Sequence, residues 1–375
     1  MRLNLIYFLV NNDYQYIEAE RVARDLRTEG YSVSLIAVPH TLTIDLNKAL
    51  FSQIEWIDSP ANSKWIYAWL RYLLASQLVR SSFAPTAFDK LIIFTEFELM
   101  NQIIAQWFKC CGAEIFLLED GGAGTYIPLT LPRADPLTWK DRVKLAMIKL
   151  IPTLQRTHFT KFSGTLIPLL DDNVLNGIIL YRNLRINRKP PVYVVRRPLQ
   201  NRLEICRGKA IFLNQPLYKD NIQTQENYAV GLKKILTALS DGFDEVLFKF
   251  HPRESEARRN EIHKTILCNF PNVSLVGERE PLEHLLAKIR PEAVVSYHST
   301  PLLNLKGTGI NPIFVFHLLN DLKDQSAFVA MRALLVSWQY QFPSNWQDVS
   351  SGFDPGATFD DVRGARPLSE IIGLP

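Results

Sequence analysis

The sequence predicts an α/β fold built as two parallel-sheet lobes in tandem, and three observations carry the prediction. Apolar runs of strand length alternate with stretches of helical periodicity. The strand runs are apolar on both faces, the composition of parallel strands covered by helices on either side. The alternation is established twice, with a looser stretch between. At 375 residues the chain has room for two domains, each with its own core.

In the first lobe Leu3–Val10 reads as a strand and Tyr16–Glu29 as a helix ended by Gly30. "YSVSLIAV" (Tyr31–Val38) and "FDKLIIFTE" (Phe88–Glu96) are further strands, Leu99–Cys110 a helix and Ala113–Leu118 a strand. From Pro132 to about Ile205 the pattern loosens. It resumes at "KAIFLNQPL" (Lys209–Leu217), a strand running into a turn, followed by a helix at Thr224–Leu239. Strand Glu245–Phe250, helix Ser255–Leu267, strand Val273–Val276 and helix Leu282–Ile289 come next, then strands Ala293–Ser296 and Pro312–Phe316. The last stretch, from "AFVAMRALLVSW" into a Gly/Pro/Asp-rich tail, is expected to fold back as a helix plus loops. No internal repeat or low-complexity tract interrupts this order.

Composition excludes several classes. With 47% hydrophobic and 21% charged residues the chain has a globular balance rather than a disordered one. A net charge of +4 is too small to imply nucleic-acid binding. The opening "MRLNLIYFLVNND" lacks the small-residue cleavage site of a signal peptide and reads as a buried strand; no later run reaches membrane-spanning length. Cys110, Cys111, Cys206 and Cys268 show no CxxC spacing, so they are expected to be reduced cysteines in packed elements of a cytosolic protein. The segment "LTWKDRVKLAMIKLIPTLQRTHFTKF" spreads Lys140, Arg142, Lys144, Lys149, Arg156 and Lys161 among apolar residues. It reads either as an amphipathic helix packed on its own domain or as a surface for anionic lipid or polyanionic glycan.

Two such lobes around a cleft resemble the GT-B architecture of glycosyltransferases, an outline that periplasmic binding proteins share. Open parallel sheets bind ligands at the carboxyl ends of their strands, and three strand ends carry chemistry. "FLLEDGGAGTY" ends a buried run at Glu119 and Asp120, followed by glycines. Adjacent carboxylates hold one member's pKa up, and either can accept a proton from a hydroxyl; alone, the motif also suits an Asx-type turn. "FKFHPRE" places Lys249 and His251 on one strand face, with Pro252 fixing the imidazole at the strand's end and Arg253 beyond. A histidine titrating near neutrality can donate a proton, and flanking cations suit a phosphate. "VVSYHSTPLLNLKGTG" delivers Ser296, His298, Ser299 and Thr300 from a buried strand, with Pro301 starting a helix. That end is an anion site or a simple N-cap by Ser299 or Thr300.

Taken together these residues resemble the bacterial sialyltransferases of GT-B fold, in particular the polysialyltransferases and lipooligosaccharide sialyltransferases. The D/E-D/E-G motif of those families is matched by Glu119-Asp120-Gly121, the HP motif by His251-Pro252, and the serine/threonine motif by Ser299-Thr300. "FLNQPL" is similar to a G-Q-P segment, with Asn214 in place of glycine, and "EPLEHLL" to a P-x-E segment that puts Glu283 near a ribose. The resemblance implies inverting transfer of sialic acid from CMP-sialic acid to a glycan hydroxyl in surface polysaccharide or lipooligosaccharide synthesis. It implies Glu119 or Asp120 as base and His251 as donor to the departing CMP phosphate. Lys249, Pro252, Glu283, Ser299 and Thr300 would then bind the nucleotide. It implies no cofactor and no metal, and no DxD-type cluster accompanies the motifs.

The expected domains are accordingly an acceptor-binding lobe at 1–205, with the basic segment at about 137–162, a nucleotide-sugar lobe at 206–345 and a tail at 346–375. The partners are a nucleotide-sugar donor and a glycan acceptor, and not nucleic acid. A cytoplasmic location follows, with room for peripheral contact on the inner face of the membrane. Three rival readings stay open: a transferase for another CMP-ulosonic acid such as CMP-Kdo, a non-catalytic two-lobed binding protein, and a sugar epimerase of duplicated fold. His40, His158, His263, His284 and His317 read as packing or surface residues. Trp56, Trp65 and Trp69 are either an acceptor platform or, for the last two, core.

Overall fold

The computed structural model of the chain describes residues 5–59, 65–120, 136–162, 165–182, 186, 188–195, 203–219, 222–277, 280, 282–305, 308–353 and 367–373. They form two compact units. The first takes described residues within 5–120, 136–195 and 367–373, and the second those within 203–353.

In the first unit β1 (Leu5–Asn12) feeds α1 (Asp13–Thr28), β2 (Ser32–Thr41), β3 (Ile54–Trp56), α2 (Trp65–Ser82), β4 (Lys90–Ile93), α3 (Leu99–Cys110) and β5 (Glu114–Leu118). After α4 (Trp139–Lys149), an antiparallel pair β6 (Thr157–Phe162) and β7 (Thr165–Leu170) precedes β8 (Gly177–Leu180) and β9 (Val192–Val194). The seven-stranded sheet runs β3-β2-β1-β4-β5-β8-β9, every neighbour parallel. Its central strands are buried on both sides, as Ile6, Phe8, Ile92, Ile93, Ile115 and Leu118 show, which is why they read as continuous apolar runs. Asn12 caps α1 by accepting the Gln15 N–H, while Gln15 Oε1 accepts the Asn11 N–H at 2.7 Å, so the chain turns from strand to helix without a spare residue.

The second unit repeats the plan with β10 (Cys206–Leu213), α5 (Gln225–Gly242), β11 (Glu245–Lys249), α6 (Glu256–Thr265), β12 (Val273–Leu275), α7 (Leu282–Ile289), β13 (Pro291–Ser296) and β14 (Asn311–Phe314). The helices α8 (Ser326–Ser337) and α9 (Trp346–Ser350) follow. Its five strands are also all parallel, in the order β12-β11-β10-β13-β14. Numbered within each unit, both sheets contain the order 3-2-1-4-5, the doubly wound Rossmann-like topology, whose switch point lies between strands 1 and 4. In the first unit that is the edge between β1 and β4, and in the second the edge between β10 and β13.

Several expectations need correction. Among its described residues, the looser region from Pro132 holds four strands and an α-helix, two of those strands extending the main sheet. The basic segment at about 137–162 is not one helix. It stops at Lys149, makes a short turn at Pro152–Leu154 and continues as β6, where Thr157, Phe159, Thr160 and Phe162 favour a strand. Residues 346–375 are not one tail either. α9 packs on α5, whereas α10 (Leu368–Gly373) brings Ile371 and Ile372 into the core of the first unit beside α1. The stretch after Ser299 is a six-residue 3-10 turn, Thr300–Leu305, rather than an α-helix. All four cysteines are free, and Cys110, Cys206 and Cys268 are exposed rather than packed.

Candidate active site

Glu119 and Asp120 follow β5, and successive residues of an extended chain point to opposite sides. The structure uses that divergence to give the two acids different surroundings. Glu119 continues the ladder through its N–H to the Ile179 carbonyl at 2.9 Å and is 1% exposed. Its carboxylate pairs with the buried guanidinium of Arg182 and accepts the Tyr181 N–H at 2.6 Å. A charge taken out of water needs such a partner, so Glu119 is a seated anion. Asp120 is half-buried and accepts the side-chain N–H of Gln15 at 2.8 Å. Burial pushes its carboxyl up to about 7; the Gln15 bond opposes that rise and the neighbouring Glu119 charge adds to it. A carboxyl that changes charge near neutrality is what proton transfer requires. Gly121 and Gly122 lie outside the described residues.

Gln15 is held in turn. Its Oε1 is taken by the Asn11 N–H, which orients its amide nitrogen toward Asp120. Asn11, at the end of β1, is tied by reciprocal side-chain bonds, at 2.8 and 3.1 Å, to Asn101 in the first turn of α3. Beside this, Glu18 of α1 accepts from the Tyr181 hydroxyl and pairs with Arg21. Sequence reasoning missed Gln15 and Arg182. The available signal was position: Gln15 stands three residues after an N-cap asparagine, and Arg182 ends the apolar run "GIILY" as Glu119 ends its own.

In the second unit His251 stands two residues beyond β11 and is half-buried. Its Nδ1 accepts the Arg253 N–H at 3.1 Å, so in the neutral ring the proton sits on Nε2. The His-Pro-Arg-Glu turn is anchored underneath by Glu254, which is 4% exposed. Glu254 accepts from Asn214 Nδ2 at 3.0 Å and from the Tyr218 hydroxyl, while the Tyr228 hydroxyl donates to Asn214 Oδ1 at 2.8 Å. Asn214, which stands where the similar motif has glycine, is thus the hinge pin of the turn. Glu254 was not foreseen.

Lys249 stands at the end of β11. Its ammonium donates to the carbonyls of Glu280 at 2.7 Å and Gly277 at 3.4 Å, holding the backbone ahead of α7, on which Glu283 lies half-buried. Pro281 of the P-x-E segment lies outside the described residues. Pro252 follows His251 in the turn. At the β10–β13 edge, Gln215 Oε1 accepts the His298 N–H at 3.0 Å, so the side chain spans the switch point. Ser299 and Thr300 come next, both half-buried, and among the described residues neither hydroxyl makes a side-chain hydrogen bond; Ser299 contributes its carbonyl to Leu302 N–H at 3.1 Å. The capping alternative for these hydroxyls is therefore not what is observed. Among the described residues there is no cluster of three or more His, Cys, Asp or Glu able to hold a metal ion. Trp56 is exposed, Trp69 donates its indole N–H to the Met147 carbonyl at 2.7 Å, and the side chain of Trp65 lies outside the described set. His158 pairs with Asp171 and His317 meets the Pro343 carbonyl, both outside the motifs.

Comparison with known proteins bears on this arrangement. The Alpha-2,8-polysialyltransferase (POLYST) family model matches residues 39–315, a span holding every motif singled out above. No curated protein matches the sequence. Among solved structures, the chain is similar to UDP-GlcNAc 2-epimerase from Neisseria meningitidis bound to UDP-GlcNAc, at 10% identity, 98% coverage of each chain and a TM-score of 0.54. It is similar to a putative UDP-N-acetylglucosamine 2-epimerase from Listeria monocytogenes at 8% identity, covering 96% of this chain and 92% of that one, with a TM-score of 0.53. TcCGT1 in complex with UDP matches at 12% identity, 94% and 90% coverage, and a TM-score of 0.51. At such identities the likeness concerns the fold, which is GT-B with two Rossmann-like lobes. The chain is a glycosyltransferase, and it belongs to the alpha-2,8-polysialyltransferase family.

Proposed function

We propose that the chain transfers sialic acid from CMP-sialic acid to a glycan hydroxyl, with inversion and without a metal, in the making of a surface polysaccharide or lipooligosaccharide. Family membership supports the reaction class. One observation carries the assignment of roles: the Asp120 carboxyl is held near neutrality beside a Glu119 already committed to Arg182. Asp120 is the base. It removes the proton of the acceptor hydroxyl as that oxygen forms its bond to the anomeric carbon. The bond from that carbon to the phosphate oxygen breaks, and its electron pair leaves on CMP. His251 donates from Nε2 to the leaving phosphate, a tautomer supported by the bond that Nδ1 accepts. Ser299 and Thr300 supply hydroxyls to the same phosphate, while Lys249 and Glu283 act by shaping the loop and helix that face the nucleotide. A single displacement inverts the anomeric centre. The leaving phosphate is stabilised by these donors, so the reaction runs without a divalent cation.

The test is nucleotide release from CMP-sialic acid, CMP-Kdo and UDP-sugars, each with glycan acceptor and with a chelator present. CMP release from CMP-sialic acid alone is the expected result. Asp120→Asn and His251→Ala each lower turnover by at least about a hundredfold. Below the Asp120 pKa of about 7, kcat/KM of the parent falls close to tenfold per pH unit as the base takes up its proton. Glu119→Gln, if folded, keeps turnover within about tenfold of the parent; loss there with activity kept in Asp120→Asn would move the base to Glu119. Release from CMP-Kdo only would change the donor, and no release from any donor would leave a binding protein.

A further inference from the structure

The helix α4 is amphipathic in the inverted sense. At about 100° per residue, Trp139, Val143, Ala146 and Leu150 fall within one narrow stripe, and that stripe faces solvent. The inward side holds only one fully buried residue, Asp141, whose carboxylate is taken up by the capping box with Thr138. Lys140 and Lys144 flank the stripe on one side, Arg142 and Lys149 on the other. A second helix repeats the feature. On α2, Leu70, Leu74 and Leu78 recur every fourth residue on the face opposite buried Tyr72, Ser76 and Val79. These six large apolar side chains are 48 to 71% exposed. The two helices are neighbours: the Trp69 indole donates to the Met147 carbonyl at 2.7 Å, and the Ser76 hydroxyl meets that of Thr153 at 2.8 Å.

We infer that this α2–α4 face seats the protein on a lipid bilayer bearing anionic headgroups. A row of exposed leucines and a tryptophan costs free energy in water and gains it in the headgroup–acyl boundary, where an in-plane helix sinks its apolar stripe. The charge around it selects the partner. The described parts of α2 and α4 carry Arg71, Arg80, Lys140, Arg142, Lys144 and Lys149, and their one acid, Asp141, is buried. Cations placed beside the stripe lie at headgroup level and attract anionic lipid. A second copy of the chain fits poorly, because an isologous contact sets the two basic rims against each other. A soluble polyanion would use the cations and leave the leucines in water. No helix among the described residues is long and apolar enough to cross a membrane, so the contact is peripheral.

Flotation of the full chain with vesicles of phosphatidylcholine, alone or mixed with phosphatidylglycerol, tests the inference without reference to catalysis. The parent is expected to float with the mixed vesicles, and added salt to weaken but not abolish the binding. Leu74→Ser combined with Leu78→Ser, and separately Trp139→Ala, lower the partition at least about tenfold with an unchanged melting curve, since all three residues are exposed. Lys140→Gln with Lys144→Gln removes the preference for the anionic lipid. Three outcomes overturn the inference. They are no flotation of the parent, flotation indifferent to the apolar substitutions, and concentration-dependent self-association in sedimentation velocity that those substitutions abolish. Tight binding of dextran sulfate with apolar variants unaffected in both assays would assign the face to a glycan instead.

Discussion

Glu119 and Asp120 are neighbours of the same chemical type, yet they sit in different electrostatic surroundings because each meets a different residue. Arg182 makes burial of the Glu119 charge tolerable, whereas Asp120 has the Gln15 amide and partial burial. That difference has a consequence for stability. An unfolded aspartate titrates near about 3.9, and folded Asp120 titrates at about 7. The folded state therefore holds the proton more tightly, and the stability linked to that proton, full below about pH 4, is lost as pH rises through 7. Asp120→Asn cannot ionise. It should be more stable than the parent by on the order of 3 kcal/mol at pH 8, with the gap closing toward pH 4. Urea titrations at the two pH values measure this, and a gap independent of pH would remove burial as the cause. At this scale the sequence showed that two carboxylates end a strand. It did not show which one pairs with a guanidinium, because that partner, Arg182, lies 63 residues away.

Elements behave as their local periodicity dictates until a contact or a breaker intervenes. Leu99–Cys110 and Leu282–Ile289 occupy the spans their patterns predict. The basic run after Leu137 does not, since Pro152 interrupts it and the β-branched and aromatic residues beyond prefer a strand. The turn carrying His251 illustrates the other limit. Its shape depends on Glu254 lying on Asn214, Tyr218 and, through Asn214, Tyr228, none of which is adjacent in sequence. Asn214→Ala leaves a carboxylate oxygen and a tyrosine hydroxyl without that partner in a buried setting. A loss of roughly 2 kcal/mol in stability is expected, together with lower kcat because His251 is no longer held. Denaturation and steady-state kinetics on the same variant check both; unchanged kcat would make the network purely structural.

Across the whole molecule, two sheets containing the order 3-2-1-4-5 recur in tandem, and the chain then returns to the first unit through α10. Ile371 and Ile372 are buried there with Val22, Leu26 and Leu35. Replacing both by alanine should cost roughly 2–5 kcal/mol each. Hydrogen exchange should then show α1, β1 and β2 losing protection while α5 and β10 keep theirs; loosening of the second unit instead would refute the placement.

The strand–helix alternation of both lobes, the parallel sheets and the abrupt end of β5 at two carboxylates were legible because each follows from patterns only a few residues long. Burial on both faces writes itself as a continuous apolar run, and a strand end as an abrupt change to polar residues. What required tertiary structure were the pairing of Glu119 with Arg182, the return of α10, the anchoring of the histidine turn and the outward-facing apolar stripes on α2 and α4. Each depends on which distant segment covers a given side chain. An amphipathic pattern reads the same whether its apolar stripe meets a core or water, so the local code is silent there.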